Sequence, residues 1–322
     1  MVEAIAFIVV GLLLLGGGGE ALLRGAVGLA TLSRLSPAVI GLTVVAAGTS
    51  VPELSVSLMA GLNGQADIAV ANVVGSNIFN IAFILGLCAM IRPLAITGNT
   101  IRLEYPVLAI VTLMGLAVTQ DGIVNWLDGS LFLLVYVCFT AYMVTLVRAQ
   151  VNATEGAELK AEVAEISGGG APRLGPMLTL LAVGVVLLGF GAQATVNGAV
   201  SLARLIGMSE RVIGLTIVAV GTSLPEIVAS LMSSLRGRDD IAIGNVIGSN
   251  LFNILGILGL SSMVMPIQVH PAIISSDNWW MLGLTLLLFP LMYTGRSVRR
   301  WEGAVLMAAY ALYVGRLLQR PA

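Results

Sequence analysis

The amino-acid sequence predicts an all-α integral membrane protein: ten transmembrane helices in two inverted-topology repeats of five, with helices 2 and 7 broken in mid-membrane. Three observations carry that prediction. The chain is too apolar for a soluble protein of its size, its two halves repeat one another, and each half carries a polar hexapeptide, "GTSVPE" or "GTSLPE", inside an apolar span.

Of 322 residues 57% are apolar and only 10% charged, and the mean hydropathy is +0.99; a soluble domain carries about 25% charged residues. Lys and Arg (16) nearly balance Asp and Glu (17), so no basic surface for nucleic acid is expected. Cys88 and Cys138 lie in apolar segments at a spacing that suits neither a disulfide nor a metal, and His270 is the single histidine. Histidine-based triads and zinc sites are thereby excluded, and no HExxH or GxSxG signals an intramembrane hydrolase. The N-terminal apolar run has no basic leader and no small-residue cleavage site, so it reads as a retained first span.

A bilayer core is crossed by about 20 helical residues. Segments of that kind fall near 4–31, 37–62, 68–91, 103–120, 126–148, 175–206, 211–235, 241–264, 277–294 and 302–319. The second, third, seventh and eighth are rich in Gly, Ser, Thr and Asn, the composition of spans that pack closely and line polar paths. The one clearly polar stretch, "RAQVNATEGAELKAEVAEISGGGAPRLG", reads as an exposed, partly helical linker. It separates a first five-helix repeat, 1–149, from a second, 174–322, with the linker itself at 150–173.

Val39–Leu87 and Val212–Leu260 align at a constant offset of 173 residues, with 32 of 49 positions identical. Five spans per copy is an odd number, so the second copy must enter the membrane from the opposite side. Many secondary transporters are built from such inverted repeats. Placing the odd-to-even connections on one side gives that side eleven of the 16 basic residues, Arg92, Arg102, Arg236 and Arg300 among them. Positive residues favour the cytoplasm. The expected localisation is therefore a multi-pass protein of the cell membrane, with both termini extracytoplasmic and the 150–173 linker cytoplasmic.

Within "GTSVPE", Ser50 before Val51-Pro52-Glu53 spells a helix start, since Ser caps and Pro is tolerated in the first turn. The apolar run before Gly48 is itself long enough to be a half-helix. The span is thus expected to break near the midplane, where unwound backbone offers carbonyls to a cation. A capping box, in which Glu53 merely satisfies backbone donors, is the competing reading. It leaves unexplained why two carboxylates, Glu53 and Glu226, stand at a depth where each costs at least about 2.5–3.5 kcal/mol. "NVVGSNIFN" (Asn72–Asn80) and "NVIGSNLFN" (Asn245–Asn253) follow in the next spans. Ser76 with Asn80, and Ser249 with Asn253, share a helical face at four-residue spacing. Asn77 and Asn250 fall on another face, where interhelical hydrogen bonding and a role at the site are both open, while Gly75 and Gly248 suit close helix contact. A cage of carboxylate, hydroxyl, amide and carbonyl oxygens suits Ca²⁺, Mg²⁺ or Na⁺ rather than transition metals.

The two segments "VIGLTVVAAGTSVPELSVSL…NVVGSNIFN" and "VIGLTIVAVGTSLPEIVASL…NVIGSNLFN" resemble the paired α-repeats of the cation/calcium exchanger (CaCA) superfamily, especially prokaryotic sodium/calcium exchangers. The resemblance covers nearly the whole chain. It implies that Glu53 and Glu226 coordinate Ca²⁺, and that Thr49, Ser50, Thr222, Ser223, Ser76, Ser249, Asn80, Asn253 and the carbonyls of Ala46 and Ala219 bind Na⁺ or Ca²⁺. It also implies that the first and sixth spans slide as a pair past the other eight. Some relatives carry aspartate at the position of Asn253, which is associated with a K⁺ requirement; Asn253 therefore points to K⁺ independence. The expected function is exchange of Ca²⁺ for Na⁺ by alternating access, with a Ca²⁺/H⁺ exchanger and a Ca²⁺-permeable channel as alternatives. No enzymatic activity, resident cofactor or nucleic-acid partner is expected; the partners are the two ions and the bilayer, and a monomer is compatible with the sequence. Glu20 and Arg24 read as an ion pair anchoring the first span. Asp67 and Asp240 mark the turns between polar spans, and Arg236, Arg238, Asp239 and Asp240 read as a solvated face.

Overall fold

The computed structural model describes residues 1–33, 35–63, 66–146, 173–207 and 219–319. The polar linker up to residue 172 and the first half of the seventh span, 211–218, lie outside the described residues, as does the side chain of Asp67. Helix α1 (Val2–Ser33) is the first span, and α2 (Pro37–Thr49) with α3 (Val51–Leu62) the second. Next come α4 (Ile68–Ile91), α5 (Thr100–Asp121), α6 (Trp126–Leu146) and α7 (Leu174–Leu205). The seventh span is described from α8 (Ala219–Thr222) through α9 (Leu224–Leu235). Helices α10 (Asp239–Val264), α11 (Asn278–Tyr293) and α12 (Arg300–Gln319) complete the bundle.

The polar spans take the centre. In its most apolar window α10 is 94% buried and α4 72%, against 28% for α1 and α7, because Gly, Ser and Asn let backbones approach and pair where lipid could satisfy neither. Both central helices widen into π-helical turns at matching places, Asn80–Ile84 and Phe252–Leu258. Matching π turns also open the fourth span, Thr100–Glu104, and the ninth, Ile273–Asp277. Such turns are frequent at functional sites; no sequence pattern announced them.

The long helices α1 and α7 run antiparallel along a seam of small residues spaced by seven. Gly11, Gly18 and Gly25 on one helix and Gly184, Gly191 and Gly198 on the other line it, and the seam allows no side chain: an added Cβ would stand 2.6 Å from the Leu22 amide nitrogen at Gly184 and 2.8 Å from that of Leu15 at Gly191. Glycine costs helix propensity of about 1 kcal/mol per residue, and here close backbone packing offsets it.

The repeats are interleaved rather than side by side. Helix α12 of the second repeat packs on α4 of the first, where a Cβ on Gly303 would lie 2.6 Å from the Gly86 carbonyl oxygen. Helix α6 of the first packs in the same way on α10 of the second, through Gly129 and Gly259. Four short strands record the inversion directly. β1 (Leu94–Ala95) pairs with β4 (Ser297–Val298), and β2 (Ile123–Val124) with β3 (Ile267–Gln268), all antiparallel. Each ribbon joins the connection after the third span of one repeat to the connection after the fourth span of the other. That pairing requires the repeats to cross the membrane in opposite senses.

Candidate functional site

Ser50 alone leaves the helix between α2 and α3, with φ −84° and ψ 12°, and the axis bends there by 44°. Ser223 repeats the geometry between α8 and α9 at φ −91° and ψ 9°. Pro52 and Pro225 follow in the first turns of α3 and α9. Having no N–H, each removes the donor that the carbonyl four residues earlier, Gly48 or Gly221, would otherwise receive. The break is therefore one residue long, shorter than the unwound stretch that the sequence suggests.

Neither serine caps its own helix, so the serine half of the capping box is absent, while each glutamate carboxylate takes a backbone N–H of its own residue. Ser50 Oγ instead crosses to the other repeat and donates to Glu226 Oε1 at 2.8 Å. Ser223 Oγ donates to Glu53 Oε1 at 3.0 Å. Thr222 lies beside the Glu53 carboxylate and Thr49 beside that of Glu226. Glu53 and Glu226 are 1% and 2% exposed, deep enough that water contributes little to holding their charge.

Two asparagines that the motif contains, but whose role the sequence reading did not assign, hold the breaks in shape. Asn72 Nδ2 donates to the Glu53 carbonyl at 3.1 Å and to Ser57 Oγ at 3.0 Å. Its counterpart Asn245 donates to Ser230 Oγ at 2.9 Å, and its Oδ1 accepts from Thr49 Oγ1 at 3.3 Å. Their spacing was a usable signal, since Asn72, Ser76 and Asn80 recur every four residues on one face.

Thr49, Ser50, Ser76, Asn80, Ser223, Ser249 and Asn253 are all buried. Helix α3, carrying Glu53, packs on the π turn that holds Asn253, and α9, carrying Glu226, on the turn that begins at Asn80. Among the described residues, five buried oxygens of this set, Glu53 Oε2, Glu226 Oε2, Asn80 Oδ1, Asn253 Oδ1 and Ser249 Oγ, have no hydrogen-bond donor. Buried acceptors are seldom left so, and a hard cation is what such a set can hold. The Ala46 carbonyl differs from expectation: it accepts from Ser50 N at 3.1 Å and Thr49 Oγ1 at 3.2 Å, because the helix continues through it to Thr49. Its counterpart Ala219 begins the described part of α8, with its side chain outside the described residues.

Asn77 takes the interhelical role, whereas the Asn250 side chain donates within its own helix to the Val246 carbonyl at 3.0 Å, and among the described residues its buried Oδ1 has no hydrogen-bond partner. Asn77 Nδ2 donates to the Asn250 carbonyl at 3.3 Å, and Asn77 Oδ1 accepts from Asn253 Nδ2 at 3.0 Å, tying α4 to α10. Gly248 abuts Leu42 as a close contact should; Leu215, which the repeat sets against Gly75 as Leu42 is set against Gly248, lies outside the described residues.

The sequence pattern of the sodium/calcium exchanger protein family matches residues 3–145 and 177–319, nearly the whole chain. The chain is a member of the sodium/calcium exchanger family. Inner membrane protein YrbG of Escherichia coli is 35% identical to this exchanger over 98% of its chain and 97% of the relative's. Sodium/calcium exchanger MaX1 of Methanosarcina acetivorans is 30% identical over 95% and 96%. Among solved structures, the sodium-calcium exchanger NCX_Mj soaked with zero Na⁺ and Ca²⁺ superimposes on 98% of this exchanger with a TM-score of 0.83 at 29% identity, 99% of that chain being covered. The fold is thus that of a ten-helix inverted-repeat exchanger with broken helices.

Charges in this exchanger are more organised at one end than the sequence suggests. Glu20 pairs with Arg24 at 2.8 Å as expected, and also with Arg236 at the end of α9, at 2.9 Å. The counterparts of Glu20, Arg24 and Arg236 are the neutral Gln193, Asn197 and Asn63, and Gln193 donates to Asn197 at 2.8 Å. Asp239 is not solvated: it is 8% exposed, accepts from Ala95 N at 3.0 Å and lies 3.6 Å from Arg92. Burial between α9 and β1 overrides the apparent charge run.

Proposed function

We propose that this chain exchanges cytoplasmic Ca²⁺ for external Na⁺ by alternating access to one midplane site, held by Glu53 and Glu226. The crossed pair of bonds, Ser50 to Glu226 and Ser223 to Glu53, carries this reading. Each repeat supplies a carboxylate and also the hydroxyl that steadies the other's, so the site exists only between the repeats. Two ionised carboxylates at this depth repel unless a cation joins them. A single Ca²⁺ balances their charge, and Na⁺ ions take its place in the reverse step; the donor-free oxygens of Asn80, Ser249 and Asn253 complete an oxygen cage for either. Thr49, Thr222, Ser76 and the Ala219 carbonyl stand as the remaining ligands of the proposal, and the Ala46 carbonyl joins them by giving up a bond from Ser50 N or Thr49 Oγ1. Asn253, an amide tied to Asn77, supports transport without K⁺.

Alternating access follows from the division of packing. The glycine seam joins α1 and α7 into one body, while the interleaved remainder, locked by the two ribbons, forms another. Sliding the first past the second uncovers the site from alternate sides, and the enclosed carboxylates speak against an open channel. The basic residues support an orientation with both termini, 1 and 322, extracytoplasmic and the 150–173 linker cytoplasmic.

Inside-out vesicles loaded with Na⁺ test the function: Ca²⁺ uptake should follow the Na⁺ gradient, persist when K⁺ is replaced by choline, and vanish in Glu53→Gln and Glu226→Gln. Uptake driven by a pH gradient alone would make the protein a Ca²⁺/H⁺ exchanger, and flux without a counter-ion would make it a channel. Orientation is read by an impermeant maleimide on intact cells, with Cys88 and Cys138 replaced: Gln120→Cys should label from outside and Gly98→Cys should not.

A further inference from the structure

Helices α11 and α12 form a groove of about 660 Å³ that neither Glu53 nor Glu226 lines. Its polar lining is gathered at one end, Ser275 and Ser276 in the opening turns of the ninth span and Arg316 in the last turn of α12. The remaining wall is apolar, running past Gly283 to Leu287 on one helix and to Ala309 on the other. At 1.5 Å per residue the floor lies roughly 10–16 Å below the mouth. Gly283 keeps the floor open, since a Cβ there would meet nothing within 4 Å. Trp279, 55% exposed, stands at the mouth, the level at which indoles sit in a bilayer interface.

Arg316 is the informative residue. Among the described residues it has neither a carboxylate nor a hydrogen-bond partner, and no acidic side chain lines the groove. Arg316 is exposed at the mouth, and the ligand that matches both its charge and the apolar channel beneath it is an anion that is itself attached to hydrocarbon. Inorganic phosphate matches the mouth but leaves the floor unfilled. A neutral acyl chain matches the floor but leaves the cation unpaired. Basic pockets between membrane helices bind anionic headgroups for this reason on the cytoplasmic side; in the orientation proposed above Arg316 lies at the opposite face, where it offers the same pairing to a lipid of the outer leaflet, and Arg matches phosphate geometry in two-point fashion.

We propose that the α11/α12 groove is a binding site for an anionic phospholipid of the surrounding bilayer. The phosphate lies on the Arg316 guanidinium within reach of Ser275 and Ser276, the glycerol region meets the Trp279 indole, and one acyl chain runs over Gly283 toward Leu287 and Ala309. The site is separate from ion binding and does not depend on which ions are exchanged.

The test uses the full chain purified in detergent and probed with phosphatidylglycerol, phosphatidylcholine and inorganic phosphate by native mass spectrometry. Phosphatidylglycerol should be retained in a saturable adduct at least about tenfold more tightly than phosphatidylcholine, the scale of one charge-assisted hydrogen-bond pair. Arg316→Gln should remove that preference, and Gly283→Leu should weaken both lipids by filling the floor. Brominated phosphatidylglycerol should quench tryptophan emission in the wild type and quench it less in Trp279→Phe, a readout that remains if Gly283→Leu fails to fold. Equal retention of the two lipids, unaltered by Arg316→Gln, would overturn the proposal. So would inorganic phosphate binding as tightly as the lipid.

Discussion

Replacing Ser50 with alanine separates the two roles that its position permits. Ser50 Oγ is fully buried and donates at 2.8 Å to Glu226 Oε1, and it makes no bond to the first turn of α3. A hydrogen bond to a charged group contributes about 1.5–3 kcal/mol, and each 1.4 kcal/mol is about tenfold in affinity. Ser50→Ala is therefore expected to weaken Ca²⁺ affinity by about 10- to 100-fold. Had the hydroxyl been a cap, its loss would instead cost about 0.5–2 kcal/mol of helix stability and leave affinity nearly unchanged. The assay is Ca²⁺ titration of Na⁺-driven uptake in proteoliposomes, beside thermal unfolding of the same preparation. Ser223→Ala, its counterpart against Glu53, should match it within a few-fold. A lowered melting temperature with unaltered Ca²⁺ dependence in both variants would refute the crossed-site reasoning.

Gly184→Ala places a methyl 2.6 Å from the Leu22 amide nitrogen; overpacking of this kind costs about 1–3 kcal/mol, and both the melting temperature and the transport rate should fall. Gly189→Ala, on the same helix with open space around its Cβ, should leave both unchanged. Glu20→Gln removes two ion pairs, one of which, to Arg236, joins the α1/α7 body to α9. Partly exposed pairs contribute about 0.2–1 kcal/mol, so a cysteine near the Arg236 end should become up to about fivefold more accessible, with the effect fading in high salt. Gln193→Ala, at the neutral counterpart, should not produce it. Asn245→Ala removes the acceptor of Thr49 and the donor to Ser230; Ca²⁺ affinity should fall several-fold, whereas Asn250→Ala, whose Nδ2 reaches only the Val246 carbonyl, should alter it less.

Much of the site is legible without coordinates because the chain is written twice. A polar hexapeptide in one apolar run is ambiguous between a cap and a ligand; the same hexapeptide 173 residues later, in a repeat with an odd number of spans, makes the inverted pair a geometric necessity. Periodicity then aligned Ser76 with Asn80 and Ser249 with Asn253. Side-chain direction was less accessible. Ser50 obeys every local rule for a helix cap, yet its hydroxyl turns to Glu226 and donates there, because a bond to a carboxylate is roughly twice as strong as the neutral bond a cap would accept from a peptide N–H. The charge run around Asp239 misled for a related reason, since local composition does not reveal that β1 and Arg92 cover it.

By itself the sequence determined the membrane class, the span count and the inverted duplication, and it singled out the two carboxylates proposed as ligands, all of which follow from composition and short periodicities along one chain. Only the tertiary structure decided which hydroxyl serves which carboxylate, where the central helices widen into π turns, how the repeats interleave and how the glycine seam joins α1 to α7. Those features depend on contacts between residues far apart in sequence. Each is a choice among partners of equal local fitness, and burial, which removes water as the alternative partner, makes that choice.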